Sequence, residues 1–149
     1  MGHMPIELTF EECVRGLNAG VVGRVGLALP DGPRIVPVNY TVQDDSVVLR
    51  TSPYSEVGTY GVGALIAFEV DDFDADLEEG WSVVVRGRAA RIDDQDELAR
   101  LRAGWDPKPW AAGMRTLHLR LPWQQVSGRR LGSGFLPGDV STQRGSRPA

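Results

Sequence analysis

A mainly β domain, an antiparallel barrel with a few short peripheral helices, is what this 149-residue sequence predicts. Three observations predict it. Short apolar runs recur from Val21 onward, and tight turn signals such as PDGP (30–33) and QDDS (43–46) separate them. Only two stretches carry a full helix-capping signature. The regular strand–helix alternation of a parallel sheet is therefore missing, and closure into a barrel removes the sheet edges that an open antiparallel sheet exposes.

The elements follow in chain order. Thr9 and Glu12 have capping-box spacing ahead of FEECVRGLNAG, where Phe10, Cys13 and Leu17 share a face and Gly20 marks a stop. Strands are expected at VVGRVGLAL (21–29), RIVPVNYTV (34–42) and VVLRT (47–51). Ser52 followed by Pro53 predicts a helix start, with serine as the cap and proline in the first turn. A strand at ALIAFEVD (64–71) runs into the acidic stretch DDFDADLEEG (71–80), read as a loop, and then into WSVVVRGRAARI (81–92). Asp94 and Glu97 cap a second helix over DDQDELARLRAG, with Leu98 and Leu101 on one side. The Trp/Pro-rich loop WDPKPWAAG (105–113) reads as a plug for the barrel end, with a wall of a cleft as the alternative, and two strands close the domain at MRTLHLRL (114–121) and around QQVSGRRL (124–131). The domain spans residues 5–131. Residues 1–4, MGHM, read as an expression remnant, and residues 132–149, rich in Gly, Ser, Pro and Arg, as a disordered tail.

Bulk properties exclude several function classes. With 42% hydrophobic and 24% charged residues, the composition fits one globular domain, and no apolar run approaches the ~20 residues of a membrane-spanning helix. A single cysteine, Cys13, permits no intrachain disulfide and fits a reducing cytoplasm. The net charge of −4 argues against nucleic acid as a partner. Asp72, Asp74, Asp76 and Glu78 have the first spacings of a calcium loop, but Leu77 and Val83 stand where that loop needs glycine and a bidentate glutamate, so no metal is expected. Cys13 lies on an apolar helix face, and His118 alternates with Thr116 and Arg120 on the polar face of its strand, which reads as a solvated or structural histidine.

Two stretches could hold a ligand. Pro37 interrupts a strand and belongs at an edge or a bulge, where freed backbone groups can bond a flat heterocycle. The corner LRTSPYSE offers Arg50 and the hydroxyls of Thr51, Ser52 and Ser55 to an anion; an ordinary strand-to-helix junction is the equally weighted alternative.

In order, the segments EECVRGL, GRVGLAL, RIVPVNYTV, VVLRTSPYSE, IAFEVDDFD, GWSVVVRGRA and VSGRRL resemble the pyridoxamine 5′-phosphate oxidase-like family of FMN-binding split barrels, in its small actinobacterial branch. The resemblance covers Ile6 to Leu131. It implies a six-stranded antiparallel split β-barrel, a homodimer binding FMN at the subunit interface, and hydride transfer to or from a small molecule. It also implies that Val36, Pro37, Val38 and Asn39 run along the isoalloxazine, with Arg34 at the start of that segment. Arg50, Thr51 and Ser52 would approach the phosphate, with Ser55 and Glu56 in the same corner. Ser82, beside Trp81, would meet the ring, while Trp123 and Arg129 would reach the cofactor of the other subunit. The catalytic residues are not implied.

Glu56 departs from the pattern, because the position after the serine is usually basic in members that hold a flavin phosphate. A carboxylate about 4 Å from a phosphate charge is repelled by roughly 4 kcal/mol at an effective dielectric of about 20. Two further readings therefore stand beside the FMN enzyme: a flavin-free dimeric binding or regulatory protein, and a member that uses deazaflavin or haem.

Overall fold

The computed structural model describes residues 2–104, 106–133 and 136. Chain order is β1 (Ile6–Glu7), α1 (Phe10–Ala19), β2 (Val22–Leu29), β3 (Gly32–Gln43), β4 (Ser46–Thr51), α2 (Glu56–Tyr60), β5 (Leu65–Asp74), β6 (Glu79–Arg88), β7 (Ala90–Arg91), α3 (Gln95–Ala103), β8 (Leu117–Pro122) and β9 (Gln125–Leu131). The strands form one antiparallel sheet in the order β1-β9-β6-β5-β2-β3-β4-β8-β7, curled into a half-barrel. The resemblance implied six strands and the sequence segments seven; nine are present among the described residues. The two beyond those segments are β1, and β7 split from the end of the expected 81–92 strand, two-residue strands that pair at the two ends of the sheet.

Alternation along each strand puts one set of side chains inside the curl. Val25 and Leu27, Val38 and Tyr40, Val47 and Leu49, Ile66, Phe68 and Val70, Trp81, Val83 and Val85, and Leu117, Leu119 and Leu121 make one buried cluster. The rings of Tyr40 and Phe68 meet edge to face at 4.7 Å, and the Tyr40 hydroxyl donates to the Leu17 carbonyl at 2.6 Å, tying α1 to the barrel mouth. Burial pushes the Tyr40 phenol well above its ordinary pKa, so it stays a donor. A smaller cluster, Val48, Ile92, Leu98 and Leu101, seals α3 against the outer face of β4.

Turns and caps follow local chemistry. Asp44 and Asp45 both take positive φ (50° and 55°), as a two-residue hairpin requires. Thr9 and Glu12 form the full capping box, and Asp94 accepts from the Glu97 amide at 2.9 Å. The acidic stretch is mostly sheet: β5 continues to Asp74 and β6 begins at Glu79. The Asp74 carboxylate turns inward on the connection, accepting from the amides of Asp76 and Leu77 at 3.0 Å each. Beyond β9, Ser133 donates to Glu79 and Leu136 is fully buried in the main cluster; the rest of the expected tail lies outside the described residues. Among the described residues, no helix is long and apolar enough to cross a membrane.

Packing is tight at Gly23, where an added Cβ would lie 2.3 Å from the Phe68 ring and 2.7 Å from the Glu69 carbonyl. Gly23→Ala is expected to lower the unfolding free energy by about 1–3 kcal/mol, read from urea denaturation midpoints at unchanged slope.

Candidate functional site

Strand β3 serves two partners. Gly32–Asn39 pairs with β2, and Tyr40–Gln43 also pairs with β4. After the Tyr40–Leu49 pair the strands part, while the end of β4 stays paired on its other edge with β8 through Arg50–His118 and Thr51–Leu117. The backbone of residues 32–39 is thus paired on one side only. The Tyr40 amide donates to Val21, towards β2. Alternation then turns the nitrogens of Pro37 and Asn39 to the open edge, so the missing N–H of Pro37 costs no ladder bond.

The fork between β3 and β4 encloses a cavity of about 380 Å³. Val36, Pro37, Val38 and Asn39 form one wall, Arg50 and Thr51 another, Ser55, Glu56 and Val57 the floor of the corner, and Pro109, Ala111 and Arg115 a cover. The Trp/Pro-rich loop therefore walls this cleft instead of only plugging the barrel end; Trp105 lies outside the described residues.

Long-range bonds hold the loop there. Arg50 donates from Nε to the Arg115 carbonyl at 2.8 Å and from Nη1 to Asp106 Oδ2 at 3.1 Å. The other Asp106 oxygen lies 2.8 Å from His118 Nε2, and the Trp110 amide donates to Asn39 Oδ1 at 3.0 Å. His118 is 3% exposed, not solvated, because Asp106 is folded over the face of β8 that strand alternation would leave open.

The corner itself differs from the expected helix start. Helix α2 begins at Glu56 with Ser55 as its cap, three residues after Ser52. Ser55 Oγ accepts from the Gly58 amide at 3.0 Å and donates to the Ser52 carbonyl at 2.7 Å. With that proton used, Thr51 must be the donor in the 2.8 Å Thr51–Ser55 contact. Ser52 Oγ accepts from Tyr54. A five-residue helix whose amide is already capped has little dipole to offer an anion, so attraction must come from the side chains around it.

Glu56 has found a cation. Its carboxylate lies 3.5 Å from Arg34 Nε, and Arg34 also reaches Asp31 at 2.7 Å. Glu56 is about half exposed and Arg34 about a third, so the pair contributes on the order of 0–1 kcal/mol of stability, yet it lowers the charge that Glu56 presents to the cleft.

The structure brings eight of the expected site residues to one cleft: Val36, Pro37, Val38, Asn39, Arg50, Thr51, Ser55 and Glu56. Arg34 and Ser52 adjoin it. It does not bring Trp81, Ser82, Trp123 or Arg129 there within one protomer. Trp81 is buried in the core, and Ser82 and Arg129 are register partners on β6 and β9. Trp123 packs on Phe10 at 6.0 Å, at the far end of β4 from the cleft. Sequence reasoning missed Asp106 and Arg115. A signal for Arg115 existed: it stands two residues before Leu117, in phase with three core-facing leucines, where a charged residue is out of place.

Elsewhere on the sheet, Arg24 lies 3.6 Å from Glu69 and 3.4 Å from Asp71. Burial and the hydrogen bond with Asp71 push the Glu69 carboxyl up to about 7, against the pull of Arg24.

Fold and cleft together define a split-barrel domain with a ligand-sized opening where two strands of its sheet diverge. The chain belongs to the pyridoxamine 5′-phosphate oxidase family, whose sequence model matches residues 9–130. It is 36% identical over 100 residues to the uncharacterized protein Rv0080 of Mycobacterium tuberculosis, an alignment spanning 64% of this chain and 66% of that protein's length. Its fold is similar to that of the FAD binding protein from Mycobacterium smegmatis, with a TM-score of 0.71 at 30% identity over 83% of this chain and 96% of that one. The heme binding protein from the same organism shares the fold, with a TM-score of 0.65 at 22% identity over 87% of this chain and 56% of that one.

The raised Glu69 carboxyl has a consequence for stability. A group whose pKa is higher folded than unfolded favours the folded state while protonated. That contribution is whole below about pH 4.5 and fades as pH rises through about 7. Chemical denaturation across this window is expected to show stability declining with pH, and Glu69→Gln to flatten the decline.

Proposed function

We propose that this protein is a flavin-dependent oxidoreductase acting on a small molecule, with FMN held in the fork between β3 and β4. The observation that carries the reading is a pair of unfilled donors on two residues that line that cleft. Asn39 Nδ2 and Arg115 Nε are both removed from solvent without a hydrogen-bond partner. Such groups are costly unless a ligand supplies acceptors, and a flavin nucleotide offers them in its ring carbonyls and its phosphate. Family membership and the FAD-binding relative support the same reading.

The residues present fit the group. The open edge of β3, with the Asn39 amide and the Pro37 carbonyl, suits the polar rim of a flat heterocycle, and Val36 and Val38 supply apolar surface on that strand. Arg50 and Arg115 would face the phosphate. When bound, the flavin supplies hydride transfer. The chain's own task is to bind and orient it, and to exclude water with Pro109 and Ala111. We further propose a homodimer, in which Ser82, Trp123 and Arg129 complete the site of the partner copy, in a reducing cytoplasm.

Glu56 no longer argues strongly for a flavin-free protein, since Arg34 already balances it. Haem finds little support, because the Nε2 of its candidate ligand His118 is bonded to Asp106. Deazaflavin shares the ring edge and a phosphate, so it is the second arm of the test.

Titration of the purified protein with FMN, FAD and deazaflavin, followed by flavin fluorescence and visible absorbance, is expected to show stoichiometric quenching by FMN. Glu56→Gln, which frees Arg34, should tighten FMN up to about tenfold, or about 1.4 kcal/mol. Uptake of none of the three would overturn the reading.

A further inference from the structure

We infer that Arg115, carried by the segment between α3 and β8, is the residue that makes the cleft select a phosphate ester. This rests on the cleft being the flavin site and names the group that sets its preference within it. Three guanidinium groups stand in or beside the cavity, and two are already committed. Arg34 is shared between Asp31 at 2.7 Å and Glu56 at 3.5 Å. Arg50 is held by Asp106 at 3.1 Å and by the Arg115 carbonyl at 2.8 Å.

Arg115 differs from both. It lines the cavity and is partly buried. Its Nε is shut off from solvent with no partner, and among the described residues no carboxylate lies within ion-pair distance of it. A guanidinium does not shed its proton at working pH, so the charge persists whether or not a ligand is bound. An oxyanion in the cleft would meet that charge.

The second unfilled donor belongs with the ring. Asn39 Nδ2 is equally shut off and unpartnered, its Oδ1 being taken by the Trp110 amide. Asn39 sits on β3 and Arg115 on the covering segment, so the two donors belong to different walls. With Asn39 beside the heterocycle, the phosphate is left to Arg115, whose planar fork of donors matches several phosphate oxygens. The main-chain bond from Arg50 to the Arg115 carbonyl survives a side-chain change, so substitution here removes the charge while leaving the loop anchored.

The test compares FMN with riboflavin, which differ only in the phosphate, on wild type, Arg115→Met and Arg115→Lys. Wild type is expected to prefer FMN by about tenfold or more, as a charge-assisted bond implies. Arg115→Met should remove most of the preference, chiefly through weaker FMN binding, and Arg115→Lys should restore part of it. An unchanged FMN-to-riboflavin ratio in Arg115→Met would overturn the inference while leaving the flavin reading intact. Should wild type bind neither flavin, that reading falls, and inorganic pyrophosphate decides on Arg115 by thermal shift. A saturable rise in Tm that is lost in Arg115→Met upholds the role; the same rise in both proteins, or none in either, overturns it.

Discussion

The site depends on one constraint: β3 is twice as long as β4, the neighbour on one of its edges, so part of that edge has no strand beside it. β4 is six residues long and pairs with β8 throughout, whereas β3 is twelve residues long and shares only its last four with β4. Past the Tyr40–Leu49 pair, the backbone groups on one edge of β3 face the fork instead of another strand. The distant loop reaches this edge through the Trp110 amide, which donates to the Asn39 side chain and leaves the neighbouring edge backbone open. The cleft is thus a product of sheet topology. Its chemistry is added by whatever the loop brings to it.

What the loop brings is mostly charge balance. Asp106 sits between Arg50 and buried His118, and Arg50 reaches back to the Arg115 carbonyl, so two of the loop's anchors run through one guanidinium. On the other side of the corner Glu56 leans on Arg34. Each carboxylate that could repel an anion has thereby been given a cation. Asp31 and Glu56 share Arg34 and Asp106 holds Arg50, which leaves Arg115 as the cleft's guanidinium without a carboxylate beside it among the described residues. A phosphate would meet that unpaired charge, not the dipole of a five-residue helix.

Local chemistry was legible in the sequence and tertiary chemistry was not. Capping spacings located α1 and α3, turn residues located the hairpins, and Pro37 marked its own edge, because each depends on neighbours a few residues away. The start of α2 was misplaced because Ser52 and Ser55 both offer a cap. The choice fell to a Thr51–Ser55 hydroxyl contact that propensity does not encode. His118 was left between solvated and structural because strand alternation is blind to what covers a face; Asp106 covers this one and makes the histidine structural. The acidic stretch read as a loop because its charge masked a period-two pattern continuing into the hairpin. Eight of the site residues were found together because they are carried by two adjoining segments. Arg115 was missed because it reaches the cleft from a segment more than fifty residues further along the chain.

The central claim is that residues 32–39 of β3 present a free edge which a flavin nucleotide covers. Residue-resolved amide hydrogen exchange, with and without FMN, tests it most directly. The account predicts slow exchange at Val36 and Val38 in both states, since their amides face β2. At Asn39 it predicts fast exchange that becomes protected on FMN addition. Protection of Asn39 in the free protein, or exchange there that FMN leaves unchanged while it binds, would contradict it.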